Sequence, residues 1–150
     1  WLSYTKGDSL VDWEHFDIVA DGMACPCGCG FGSKREDFEP LLINYLERLR
    51  MFWKKPMKLN STARCKEHNE KIGGEDNSAH TPDDSRRCRA ADVSLVTGSY
   101  DRKQFIMDAT EAGFKRIGIA KTFVHIDVAA DVGGPKLPEG WWTYGASRGA

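Results

Sequence analysis

A chain of 150 residues is about one domain, long enough to bury a single core. Its 41% hydrophobic and 29% charged content are ordinary globular values, which exclude a disordered, coiled-coil or collagen-like chain. A net charge of −1 gives no basic field for a nucleic-acid partner, and no apolar run approaches the roughly 18 residues of a membrane span, so neither nucleic-acid binding nor membrane insertion is expected.

The opening segment, WLSYTKGDSLVDWEHFD, lacks the basic and apolar regions of a signal peptide. The chain starts with Trp rather than Met, so localisation is not read from this end. Residues 1–30 mix aromatics with Asp, Gly and Cys and read as an irregular arm. Glu39-Pro40 opens a helix, PLLINYLERLRMFW, in which Leu42, Leu46, Leu49 and Trp53 form an apolar stripe. Lys54-Lys55-Pro56 marks its end, cations followed by a breaker.

MKLNS (57–61) is a short strand, and RCKEHNEKI (64–72) a short helix that stops at Gly73-Gly74. A polar, turn-rich loop over 73–89 leads to a strand, AADVSLVT (90–97). A second helix runs from about Asp101 to Ala112 and ends at Gly113. RIGIA (116–120) and TFVHIDVAA (122–130) are strands. Alternation in the latter sets Phe123, His125 and Asp127 on one face and Val124, Ile126 and Val128 on the other. The tail, GGPKLPEGWWTYGASRGA, is Gly/Pro-rich with paired tryptophans and reads as draped over the surface. Helices separated from a short run of late strands give an α+β class with a small antiparallel sheet. The whole chain, 1–150, reads as one domain: a Cys-containing arm at 1–30, a core at 31–144 and a tail at 131–150.

Five cysteines (25, 27, 29, 65 and 88) cannot all pair within one chain, so at least one is a free thiol or a metal ligand. CPCGC departs from the CxxC spacing of common zinc fingers. A disulfide from this cluster to Cys65 or Cys88 and a reduced or zinc-bound cluster both stay open. A redox domain built on CPCGC is the weakest reading, because the usual form is CxxC at a helix start.

Four histidines, 15, 68, 80 and 125, are the other metal-binding candidates. His80, Asp92 and His125 all lie where a sheet edge meets a loop, and catalytic zinc takes three protein ligands of these types. Taken singly, each has an ordinary reading: a strand histidine with a satisfied hydrogen bond, an aspartate that caps a turn. His15 reads as surface.

The run NSTARCKEHNEKIGGEDNSAH (60–80) resembles the central signature of the M15 family of zinc D-Ala-D-Ala peptidases, in its bacterial and phage branch. RAADV (89–93), RIGIA (116–120), TFVHIDV (122–128), and upstream MACPCGCG with LLINYLERLR, are similar to that branch in the same order, over about residues 16–144. The resemblance implies an M15 fold, related to the hedgehog signalling domain, and a zinc ion held by His80, Asp92 and His125. It implies that Arg64 holds a substrate carboxylate or carbonyl, a task suited to a planar guanidinium. Ser78 joins Arg64 as a substrate-side residue that fixes the loop turn. His68 matches a recurring histidine that is not a ligand and reads as a residue behind the ligands or a helix cap.

Three departures from the family pattern matter. Asp92 follows His80 by twelve residues where seven is usual, so Asp83 and Asp84 compete with it as ligand. Thr122 and Phe123 stand where other branches put a general base, which leaves Asp127 as base or as a partner orienting a ligand. Ala129 replaces an arginine common in the branch. The implied activity is metal-assisted hydrolysis of D-amino-acid bonds in peptidoglycan stem peptides, by a monomeric carboxypeptidase or an endolysin-type endopeptidase. The implied setting is the bacterial cell envelope, or a phage product released to the cell wall. The competing class is a non-catalytic binding module stabilised by zinc, for which Cys88 as a fourth ligand would be the signature.

Overall fold

The computed structural model describes residues 12–82, 87–95, 99–134 and 136–144. Helix α1, Pro40–Trp53, starts with proline at its first turn, where the missing N–H has no helical partner to lose. It ends at Lys54, in the left-handed region (φ 61°), whose N–H bonds the Arg50 carbonyl at 3.0 Å. The expected stripe is buried: Leu42, Leu46 and Leu49 have no exposed surface and Trp53 has 8%. Helix α3, Ser99–Ala112, packs along it, with Trp53 edge-on to Phe105 at 5.2 Å and Tyr45 edge-on to Phe114 at 5.4 Å. Gly113 ends α3 at φ 125°, and a Cβ there would stand 2.6 Å from the Tyr45 ring. Glycine is required on both counts.

Between the two helices come strand β1, Leu59–Ser61, helix α2, Lys66–Lys71, and strand β2, Ala90–Ser94. Strands β3, Arg116–Ile119, and β4, Phe123–Asp127, form a tight hairpin after α3. Arg102 of α3 donates to the carbonyls of Leu95, Ala120 and Lys121, tying the helix to the end of β2 and to the turn of that hairpin. Strand β5, Gly140–Thr143, completes a sheet of order β1-β2-β4-β3-β5. All pairings are antiparallel except β3 with β5, which is parallel. The α+β class holds, with one parallel edge added to the antiparallel sheet. The tail is therefore not merely draped over the surface: its GWWT segment pairs with β3. No helix among the described residues is long and apolar enough to cross a membrane.

One face of the sheet carries Ala91, Val93, Ile117, Val124 and Ile126 into the core against α1 and α3. The alternation of β4 is as expected, so His125 and Asp127 point to the other face. The arm folds back onto α1: Phe16 and Met23 enter the core, and the buried Glu47 carboxylate accepts from the backbone N–H groups of Glu14 and His15. His15 is exposed, as expected, yet its Nδ1 also meets Glu47 at 2.6 Å. Leu46→Ala is expected to cost about 2–5 kcal/mol in urea denaturation, whereas truncation of exposed Met51 on the same helix should change stability by no more than about 0.5 kcal/mol.

Candidate functional site

Strand register builds the site. On the sheet face away from the helices, Asp92 of β2 lies directly opposite His125 of β4, which lies opposite Gly118 of β3, which lies opposite Trp142 of β5. His80 arrives from the turn after α2, where Asn77 takes a left-handed φ of 58°. The backbone N–H of Arg64 bonds the His80 carbonyl at 3.0 Å and fixes that turn against the end of β1.

Three atoms converge: His80 Nε2 to Asp92 Oδ1 is 3.1 Å, His125 Nδ1 to Asp92 Oδ1 is 2.8 Å, and the two ring nitrogens are 3.2 Å apart. All three residues are buried. The outer nitrogens of both rings are already committed. His80 Nδ1 is 2.7 Å from the Thr62 carbonyl, which can only accept, so Nδ1 carries the proton and Nε2 offers a lone pair. His125 Nε2 is 2.7 Å from the Asp127 carboxylate, so it too donates outward and leaves Nδ1 to face the others. Two imidazole lone pairs and a carboxylate oxygen pointed at one another require a cation among them, either a proton or a metal.

The titration behaviour follows from this arrangement. Burial holds His80 below its ordinary pKa despite the nearby Asp92, so its ring is neutral, the form that binds metals. Burial works against a charged His125, but Asp127 and Asp92 on either side outweigh it and lift the ring to about 9. Burial likewise disfavours the Asp92 carboxylate, yet the two imidazoles hold its pKa far below the ordinary range.

Asp127 stands behind His125. Its side chain is fully enclosed and accepts from His125 Nε2, from Arg116 Nε at 2.9 and 3.1 Å, and from the Ala129 N–H at 2.9 Å. Burial raises its pKa, but His125 and Arg116 bring it below the ordinary value. Between the two roles open to it, this geometry supports orienting His125 over proton transfer. Arg116 also lies over the Trp142 ring, 4.8 Å from its centroid, and Trp142 sits 5.4 Å from the His125 ring. Gly118 makes room for that indole, because a Cβ there would meet Trp142 at 2.7 Å.

Arg64 and Ser78 line the cleft with the three donors. Ser78 Oγ accepts from the His80 N–H at 3.2 Å and from Arg64 Nη2 at 3.4 Å, so it shapes the turn and steadies the arginine together. His68 is apart from the converging atoms; its N–H caps α2 on Cys65 Sγ at 3.4 Å. Cys88 is buried in a backbone bridge to Phe38, and its sulfur lies 3.2 Å from both the Thr62 and the Ala90 carbonyls, either of which can accept its single proton. Burial pushes that thiol up to about 12, and it is not a fourth member of the donor set. Asp83 and Asp84, the rival ligands, lie outside the described residues. Sequence reasoning missed Arg116, Gly118 and Trp142, and also Glu75 and Asp76, which line the cleft on the turn ahead of His80.

The donor set fits zinc. Ligands about 2.0–2.1 Å from a tetrahedral centre are about 3.3–3.4 Å apart, close to the spacings here, and two imidazoles with one carboxylate leave a position open. The peptidase M15 family model matches residues 16–127, roughly three-quarters of the chain. The chain belongs to the peptidase M15 family. No curated protein matches it. Membership supports a hydrolase of the zinc metallopeptidase type, and His80, Asp92 and His125 of this M15 chain are the residues that would hold the ion. Asp127→Asn is expected to weaken zinc binding at this site by about 10- to 100-fold in chelator competition, because His125 loses its charged support. An unchanged affinity would remove Asp127 from the site.

Proposed function

We propose that this M15 chain hydrolyses D-amino-acid-containing peptide bonds of peptidoglycan stem peptides at the bacterial cell wall, as a carboxypeptidase or an endolysin-type endopeptidase. The observation that carries the reading is a guanidinium, Arg64, on the wall of the same cleft as a three-donor metal site. The cleft, about 880 Å³, has room for several residues of an extended peptide. A zinc ion at the three donors supplies water activation at neutral pH and polarisation of a carbonyl.

The chain's own residues do the rest. Arg64 offers a bidentate grip on a peptide carboxylate or carbonyl and so sets the scissile bond's position along the cleft. Trp142, stacked beneath Arg116 and against His125, gives the cleft an apolar wall that screens the reacting centre from bulk water. Asp127 keeps His125 in one tautomer and orientation. With Asp127 committed to three donors, Glu75 and Asp76 are the carboxylates on the cleft wall, among the described residues, that could take part in proton transfer.

A second reading, a zinc-stabilised binding module without turnover, is favoured by one observation: the acid nearest His125 is fully engaged. Digestion of purified muropeptides followed by mass spectrometry separates the two. Cleavage is expected, with Arg64→Ala lowering kcat/KM by about 10- to 100-fold, the loss of one charge-assisted contact of about 1.5–3 kcal/mol. Zinc-loaded protein that binds muropeptides without cutting them would establish the binding module instead.

A further inference from the structure

The cleft uses none of the five cysteines, and four of them cluster elsewhere. Cys25, Cys27, Cys29 and Cys65 are free thiols whose sulfurs all lie within 4.8 Å of one another, with Cys25 to Cys27 at 3.4 Å and Cys27 to Cys65 at 3.5 Å. Four sulfurs bound at about 2.3 Å to one tetrahedral zinc stand about 3.8 Å apart. The cluster therefore already has the dimensions of a four-thiolate site.

The local backbone is shaped for it. Cys25, Cys27 and Cys29 alternate along the chain, and Gly28, at φ 82° between the last two, turns it through the left-handed region as the three sulfurs come together. Gly32, at φ 86°, lets the arm press against the end of β1: a Cβ there would stand 2.4 Å from Ala63 Cβ. Backbone N–H groups point at the sulfurs, Cys65 N to Cys25 Sγ and His68 N to Cys65 Sγ, each at 3.4 Å. Such donors offset the negative charge that four thiolates bring to a divalent ion.

We propose that these four cysteines bind a second zinc ion, structural rather than catalytic. Soft thiolate ligands select zinc over calcium or magnesium, and four protein ligands close the coordination shell. The ion joins the arm to a segment, Thr62–Cys65, that also shapes the cleft. Along that segment the Thr62 carbonyl holds His80 Nδ1, Ala63 N bonds the Met23 carbonyl at 3.1 Å, Arg64 faces the cleft, and Cys65 supplies the fourth sulfur. The second zinc thus braces Arg64 and His80 from outside the cleft.

The test counts metals and reads their ligands in the full chain, purified under reducing conditions, and does not depend on peptidase activity. Two zinc ions per chain are expected, falling to one in Cys27→Ser/Cys29→Ser and to one in His80→Ala/His125→Ala. The cobalt(II)-substituted wild-type chain should show intense sulfur-to-metal charge-transfer absorption in the near ultraviolet. The double histidine variant should keep that absorption, which sets this site apart from the cleft. If the cysteine variant does not fold, the cobalt spectrum of the wild-type chain decides alone. A zinc content that Cys27→Ser/Cys29→Ser leaves unchanged, a cobalt spectrum without thiolate absorption, or disulfides among these four cysteines in the native protein would overturn the proposal.

Discussion

The site depends on the pairing of β2 with β4, which sets Asp92 directly opposite His125. A slip of one residue by either strand would turn that strand's donor into the hydrophobic core and bring its own apolar residues, Ala91 and Val93 or Val124 and Ile126, to the cleft. The apolar face packed on α1 and α3 therefore fixes Asp92 and His125 of the donor set as firmly as it fixes the fold. His80 is the exception, since it comes from a turn and owes its position to the Thr62 carbonyl and the Arg64 N–H.

A second dependence follows. Each ligand imidazole spends its outer N–H on a fixed acceptor, a backbone carbonyl for His80 and the Asp127 carboxylate for His125. Those bonds decide which nitrogen faces inward. Asp127 is itself held by Arg116, and Arg116 by the Trp142 ring, so orientation at the centre rests on the edge strand β5. Both devices act on tautomer and direction rather than on affinity of any single contact.

Much of this was legible in the sequence, though unevenly. The α1 stripe, the β4 alternation and the order of the elements follow from periodicity, because burial enforces the same spacing that the chain displays. His80, Asp92 and His125 came from ordered motifs; spacing alone leaves each with a structural explanation. The tail strand was hidden, since GWWT is four residues long, flanked by Gly and Pro, and pairs by tertiary context. Gly118 was equally silent: its value lies in the side chain it lacks, opposite a tryptophan 24 positions along the chain. The cysteine partnership turned on which of Cys65 and Cys88 the fold brings to CPCGC. Only the backbone bridge that buries Cys88 against Phe38 answers that, and no local signal encodes it.

The central claim is that His80, Asp92 and His125 form one metal site, and diffraction at the zinc absorption edge tests it most directly. Crystals of the zinc-loaded protein should show an anomalous peak bonded to His80 Nε2, Asp92 Oδ1 and His125 Nδ1, at about 2.0–2.2 Å from each. An anomalous map with no peak there, or with zinc bound through Asp83 or Asp84 in place of Asp92, would contradict it.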